Sequence, residues 1–344
     1  MRVLTLRELN RATLARQLLL ERRRLSPLVT IERLAGMQAQ WPKAPYVGLW
    51  TRLPAFRRDT LERAISSGKV VKATVMRGTL HLVTERDYGM FWAALRDMRA
   101  WADDESLELA TRLAPQLRAM FDDGPLTFQQ VVERMASDHG IEDELTRRRT
   151  WWVARKTGHV LHAPETALFA ARPQALFAPV AVPAPVDTTL ARSELARRYL
   201  AAFGPAARAD LADWSGMRVS DLAPALETLE PLRRFRDERG RELLDLPRAP
   251  LPDANTPAPV RFLPKWDNVL LAFADRTRVL PEEYRKTVIA KNGDVAQTFL
   301  VDGVVAGTWR EDNGKVKLEP FAPLPRAARR EAEDEAARLA EFLR

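Results

Sequence analysis

The chain has 344 residues, of which 46% are hydrophobic, and it carries a formal net charge of +8 with a pI near 10.0. That length allows two or three domains with a substantial core, and no stretch reaches the roughly 18 to 20 uncharged apolar residues of a membrane span. The absence of cysteine excludes disulfides, thiolate metal sites and Cys nucleophiles, and four scattered histidines without ligand spacing imply no metal.

Residues Met1 to Glu8 lack the apolar segment of a secretory signal, so a cytoplasmic protein is expected. The basic balance favours a polyanionic partner, although an Arg-rich composition alone does not decide the matter. Residues 1–84 read as helices followed by a hairpin. Thr5 followed by Glu8 is a capping-box pattern that opens a helix reaching about Leu20, with Leu9, Leu14 and Leu18 on one side. Pro27 begins a second helix carrying Ile31, Leu34 and Ala35, which ends just before Gln38 and Gln40. A third helix is expected from Thr60 to Ser67, capped by Asp59 and stopped by Gly68. Val70 to Val75 and Thr79 to Thr84 alternate as two strands around Arg77-Gly78. Residues 85–123 form connecting helices, in which Tyr88, Phe91, Trp92, Leu95, Met98 and Trp101 recur at helical spacing and read as core.

Residues 124–189 repeat this grammar and add a proline-rich linker. Thr127 caps a helix through Met135, Gly140 breaks the chain, and Glu144 to Lys156 forms a helix ending at Gly158. His159 to His162 and Ala167 to Ala170 are expected to make a short hairpin, and Pro179, Pro183 and Pro185 mark an extended crossing segment. Residues 190–246 show the clearest such unit, with helices Ala191 to Phe203, Ala207 to Trp214 and Ser220 to Leu229. Its hairpin joins Leu232 to Arg236 with Glu242 to Leu246 through Asp237-Glu238-Arg239-Gly240. In residues 247–344 a second linker precedes strand candidates at Val260 to Leu263, Thr287 to Ala290, Thr298 to Val301, Val304 to Arg310 and Lys315 to Leu318. Asn292-Gly293, Asp302-Gly303 and Asn313-Gly314 are strong turn dipeptides, and Arg326 to Leu343 is an amphipathic helix. The expected architecture is α+β: three tandem winged-helix motifs, then a β-rich, barrel-like module and a terminal helix.

The chemistry concentrates at Gln38 and Gln40. Two positions apart, they diverge on a helix but share a face of extended backbone, and Gly36 and Pro42 favour the latter. A glutamine neither titrates nor attacks, so the pair can orient a water and stabilise developing charge but cannot act as a strong base or nucleophile. Gln38-Ala39-Gln40-Trp41-Pro42, followed by Arg77-Gly78-Thr79-Leu80-His81, resembles the AlkZ/YcaQ family of bacterial winged-helix DNA glycosylases. The resemblance continues through Leu263-Pro264-Lys265-Trp266-Asp267-Asn268 and Val301-Asp302-Gly303.

The resemblance implies a monofunctional glycosylase that hydrolyses the N-glycosidic bond of N7-alkylated, cationic purines in double-stranded DNA. Some members unhook interstrand crosslinks, and self-resistance to a DNA-alkylating natural product is a further implication. It assigns this chain to the Gln-x-Gln branch, with Gln38 and Gln40 as the catalytic pair and no carboxylate at position 40. A nucleoid-associated monomer without cofactors follows. Arg77 at the tip of the first hairpin, Thr79, His81, Trp41 and Asn292 are candidate DNA contacts, and Arg147, Arg148 and Lys156 can face phosphates if their helix lies along the duplex. Each also has a plain structural reading as core or solvated surface. Asp267 or Asp275 can hold an amide in place. The competing functional readings are a non-catalytic winged-helix transcriptional regulator and a basic interaction scaffold.

Overall fold

In a computed structural model of the chain, Thr5 and Glu8 close the capping box, and strand β1 (Val3–Leu4) leads into helix α1 (Leu6–Arg16). The structure describes residues 1–344 except 97–103, 158–159, 172–174, 182, 185 and 230, and except the side chains of 114, 156 and 157. Met98, Trp101, Gly158, His159 and Pro185 of the sequence reading lie outside the described residues. Helix α1 stops at Arg16 rather than near Leu20, because Leu18 turns into left-handed backbone and the Leu19 amide returns to the Leu14 carbonyl at 2.8 Å.

Helix α2 (Pro27–Arg33) begins at Ser26, whose hydroxyl accepts from the Val29 amide, and Pro27 takes the first helical position, where no donor is needed. Ala35 and Gly36 reverse the chain with φ of 56° and 88°. A Cβ on Gly36 would lie 3.1 Å from Val83 Cγ1, so the left-handed turn and the close approach both favour glycine. The turn delivers strand β2 (Met37–Gln38). Helix α3 (Ala44–Trp50) follows, and helix α4 (Arg58–Ser66) begins at Arg57, with Asp59 in its first turn rather than capping it. β3 (Val70–Thr74) and β4 (Leu80–Thr84) form the expected hairpin, and α5 (Glu85–Leu95) and α6 (Asp104–Ala119) come next.

β5 (Leu126–Thr127), α7 (Phe128–Ser137) and α8 (Glu144–Thr157) precede β6 (Val160–His162). β6 pairs with β7 (Leu176–Pro179) and not with Ala167 to Ala170. The Thr166 hydroxyl and amide both bond the Ala163 carbonyl, at 2.7 and 3.0 Å, which folds Pro164–Ala167 into a 3-10 turn. β6 also meets β3 at Lys72 and His162, so one six-stranded sheet runs β2-β4-β3-β6-β7-β5.

Helices α9 (Thr188–Phe203), α10 (Arg208–Ser215) and α11 (Val219–Glu227) lead to the hairpin of β8 (Arg233–Asp237) and β9 (Glu242–Asp245). β1 adds to β8 in parallel, and a buried Arg16–Asp245 ion pair at 2.7 Å ties α1 to the same hairpin.

β10 (Arg261–Leu263), the short α12 (Arg285–Val288), β11 (Thr298–Val301), β12 (Val304–Asp312) and β13 (Lys315–Pro320) are followed by α13 (Arg326–Leu343). Their sheet is antiparallel in the order β10-β11-β12-β13 and open, which corrects the barrel-like expectation. The expected strand Thr287 to Ala290 is instead the end of α12 and a single bridge from Ile289 to Val295, so among the described residues no strand closes the sheet.

Alternation along this sheet sends Phe262, Phe299 and Trp309 toward Tyr46 and Val47 of α3 and Leu339 of α13. Leu263, Leu300 and Val305 pack instead with Leu14 and Leu19. Each such burial contributes about 1.5–3 kcal/mol, enough to hold the segment after β10 firmly beside β2. The fold is a mixed α+β arrangement. Among the described residues no helix is long and apolar enough to cross a membrane.

Candidate active site

Gln38 faces His81 across the β2–β4 register, and the Ala39 amide extends the ladder by donating to the Leu80 carbonyl at 2.7 Å. The strand ends at Gln38, and Gln40 follows two residues on in a bend. Gln38 is 5% exposed, and its Oε1 accepts from Arg77 Nη2 at 3.2 Å. The other arm of that guanidinium donates to the Trp214 carbonyl in α10 at 2.7 Å. With Oε1 engaged, the free valence of Gln38 is its NH₂ donor. Gln40 shows the complement: its Oε1 is buried with no hydrogen-bond partner among the described residues. One amide thus offers a donor and the next an acceptor, which are the two valences that fix a water molecule.

His81 is 1% exposed, and its Nδ1 lies 3.0 Å from the Thr79 carbonyl. A carbonyl only accepts, so Nδ1 carries the proton and Nε2 the lone pair. Burial, reinforced by the Arg77 charge, pushes the imidazole pKa down to about 3, so it is neutral at physiological pH. Burial also brings Arg77 down to about 10, where it remains cationic.

The segment after β10 supports this arrangement. Asn268 Nδ2 donates to the carbonyls of Leu34 and Gly36, at 3.2 and 2.6 Å, and so fastens the turn that delivers Gln38. Asp267 holds Arg52 in a buried bidentate pair with both contacts at 2.9 Å, and Arg52 donates further to the carbonyls of Gln17 and Gly48. A Cβ on Gly48 would sit 2.5 Å from Met37 Cε, so α3 lies directly against β2. Lys265 bonds both oxygens of Asp294 at 2.9 and 2.8 Å, and Trp266 Nε1 donates to the Gly293 carbonyl at 2.9 Å. These contacts tether the Asn292-Gly293 turn to the Pro264–Asn268 segment, part of which lines a small recess together with Gln38.

A family model described as DNA glycosylase AlkZ-like matches residues 31–342. The chain belongs to the AlkZ-like DNA glycosylase family. A relative, the interstrand DNA cross-link repair glycosylase of Streptomyces sahachiroi, is 24% identical over 355 residues, covering 94% of this chain and 93% of its own length. The solved structure of the Streptomyces sahachiroi DNA glycosylase AlkZ shares the fold, with a TM-score of 0.83 at 21% identity over 100% of this chain and 97% of that one.

In this AlkZ-like enzyme the residues singled out from sequence are distributed unevenly. Gln38, Arg77 and His81 cluster on β2, β4 and the turn between β3 and β4. Thr79 is half-buried, and its hydroxyl donates to the Met76 carbonyl at 3.0 Å. Trp41 is half-buried beside Gln40 in sequence. Asn292 is exposed, with its Oδ1 accepting from the Asp294 amide at 3.1 Å.

Arg147 folds back onto the start of α8, donating to the Ile141 carbonyl at 2.7 Å, and exposed Arg148 pairs with Glu144 at 2.8 Å. The side chain of Lys156 lies outside the described residues. Asp267 grips Arg52, and Asp275 is taken by Arg239 and Thr277 at 2.8 and 2.6 Å, so both carboxylates have partners other than the glutamines. Sequence reasoning missed Arg52 and the Asn268 clamp. Asn268 does stand in the segment Leu263 to Asn268 that carried the family resemblance, whereas nothing in the sequence distinguishes Arg52 from other arginines.

Proposed function

We propose that this protein hydrolyses the N-glycosidic bond of N7-alkylated, cationic purines in duplex DNA, with Gln38 and Gln40 as its catalytic residues. The carrying observation is the amide pair, in which Arg77 engages the Gln38 Oε1 and leaves its NH₂ as the remaining donor, while among the described residues the buried Gln40 Oε1 has no partner. Among the described residues no carboxylate hydrogen-bonds either amide, so the reaction must proceed without a strong base there. A cationic purine supplies the needed activation, because it leaves as a neutral base.

In this mechanism the C1′–N9 bond breaks as the sugar gains oxocarbenium character. The Gln40 carbonyl directs the negative end of its dipole at that charge and aligns a water proton, while the Gln38 NH₂ holds the water oxygen. Hydroxide is added to C1′, the alkylated base departs, and one proton passes to solvent. The three helix-and-hairpin segments, with divisions near residues 84, 124, 190 and 246, would act as tandem winged helices around the duplex, and the Asn292-Gly293 turn would approach the groove. A monomer acting at the nucleoid suits this role. The cross-link repair named for the Streptomyces relative extends the proposed substrates to interstrand crosslinks formed at N7.

The test is incubation with a duplex bearing one N7-methylguanine, followed by chromatography for free base and a gel for the intact abasic strand. Release of N7-methylguanine with an uncleaved strand supports the reading. Retention of the base in both N7-methylguanine and crosslinked duplexes would refute it.

A further inference from the structure

On the sheet face opposite the Gln38–His81 row, Lys72 and His162 stand directly across from each other on β3 and β6. Lys72 is 7% exposed, and its ammonium has one acceptor, the Thr166 carbonyl at 3.0 Å. Among the described residues it forms no ion pair. Beside it the Nδ1 of His162 is buried with no partner among the described residues, while the ring packs on Phe177 with centroids 4.7 Å apart. Arg155 lines a recess that shares His162, lies over the same Phe177 ring at 5.7 Å, and has a buried Nε with no partner among the described residues.

Three nitrogen-bearing side chains therefore converge, and among the described residues no carboxylate pairs with them. Burying cations without a counter-charge is costly, and proteins ordinarily pair them. Lys72 and His162 open onto a cavity of about 850 Å³ whose other walls include Val70, Val71, Met90 and Val180. Glu85 also borders it but is exposed, next to Arg86.

We propose that this cavity is a second, anion-binding site, in which a phosphate or phosphate monoester is held by Lys72 and His162 with the Arg155 charge behind them. The apolar walls then receive the body of the ester. Burial lowers the Lys72 pKa to about 8 and that of Arg155 to about 10, and the His162 pKa falls to about 3 through burial and the charges of Lys72 and Arg155. A bound anion would relieve all three effects. The site lies across the β3–β6 seam and would brace that junction, and it does not rest on the glycosidic reading.

The experiment is calorimetric titration of the full chain with inorganic phosphate at constant ionic strength, repeated with Lys72→Met and Arg155→Met. Binding by the wild type, weakened at least about tenfold in either folded variant, is the expected result for loss of one charge-assisted contact. A duplex arm separates the two sources of phosphate. Competition between inorganic phosphate and undamaged duplex, with duplex affinity reduced in Lys72→Met, identifies a DNA backbone phosphate. Unchanged duplex affinity in that variant identifies a free phosphate ester. Absence of heat with the wild type at millimolar phosphate, or wild-type affinity retained in both variants, overturns the proposal.

Discussion

Arg77→Gly isolates the contribution of the guanidinium that orients Gln38. Arg77 sits at φ 53° and ψ 17°, a conformation glycine adopts freely, so the substitution removes the side chain without adding backbone strain. Two hydrogen bonds are lost, at 3.2 Å to Gln38 Oε1 and at 2.7 Å to the Trp214 carbonyl. The second is a stability effect, since an orphaned buried carbonyl costs about 1–3 kcal/mol, offset in part by relief of the left-handed arginine. The first acts on the reaction. A charge-assisted bond is worth roughly 1.5–3 kcal/mol, and if that orientation is realised in the transition state, single-turnover base release slows by about 10- to 150-fold. Rates measured under saturating enzyme, with duplex affinity from anisotropy and unfolding by denaturant, separate these terms. Duplex affinity should change by less than about threefold, since Arg77 points inward. An unaltered rate constant, or a loss wholly in duplex affinity, would refute the view that Arg77 serves Gln38 rather than DNA.

Gln40→Leu removes a buried acceptor that has no partner among the described residues, so it should abolish base release while leaving stability equal to or up to about 1–3 kcal/mol above wild type by urea denaturation. Asn268→Leu strands the carbonyls of Leu34 and Gly36 and should lower stability by roughly 2–4 kcal/mol, with base release falling together with the integrity of the β2 turn. The His81 pKa lies near 3 in the folded chain, below its ordinary 6.5, so the unfolded chain takes up the proton first as pH falls. Stability from this group is present above pH 6.5 and is lost toward pH 3, at up to about 1.4 kcal/mol per pH unit. A urea midpoint series should therefore fall less steeply with acid in His81→Asn than in wild type, and parallel curves would contradict the burial of that imidazole.

Much of the fold was legible because local chemistry agreed with tertiary structure. The Thr5–Glu8 and Thr127–Gln130 boxes start helices where the pattern placed them, and Pro27 takes its first-turn position. Asp302-Gly303 and Asn313-Gly314 both adopt positive φ at each residue, as tight hairpins require. Helix α3 escaped notice because Ala44 to Leu49 are all buried, leaving little polar contrast to reveal a period. β1 and β2 are two-residue strands defined by partners far along the chain, and no local pattern encodes such pairings. The barrel-like expectation failed at Thr287 to Ala290, where β-branched residues suggested a strand but the chain keeps helical turns.

At the site, Gln40 lies beyond the strand in a bend, whereas extended backbone reaching Gln38 was readable from Gly36 and Pro42. The inward direction of Arg77 was not, since a charged residue at a hairpin tip ordinarily points to solvent. The partners that reverse this, Gln38 and the Trp214 carbonyl, belong to separate segments of the chain. Only the fold showed which partners these residues take.

The most direct measurement is single-turnover release of N7-methylguanine by wild type and by Gln38→Ala/Gln40→Ala, at enzyme concentrations that saturate the duplex for both. The account predicts release by the wild type and its collapse in the double variant at matched duplex occupancy. Undiminished release by the double variant would contradict the assignment of the two glutamines.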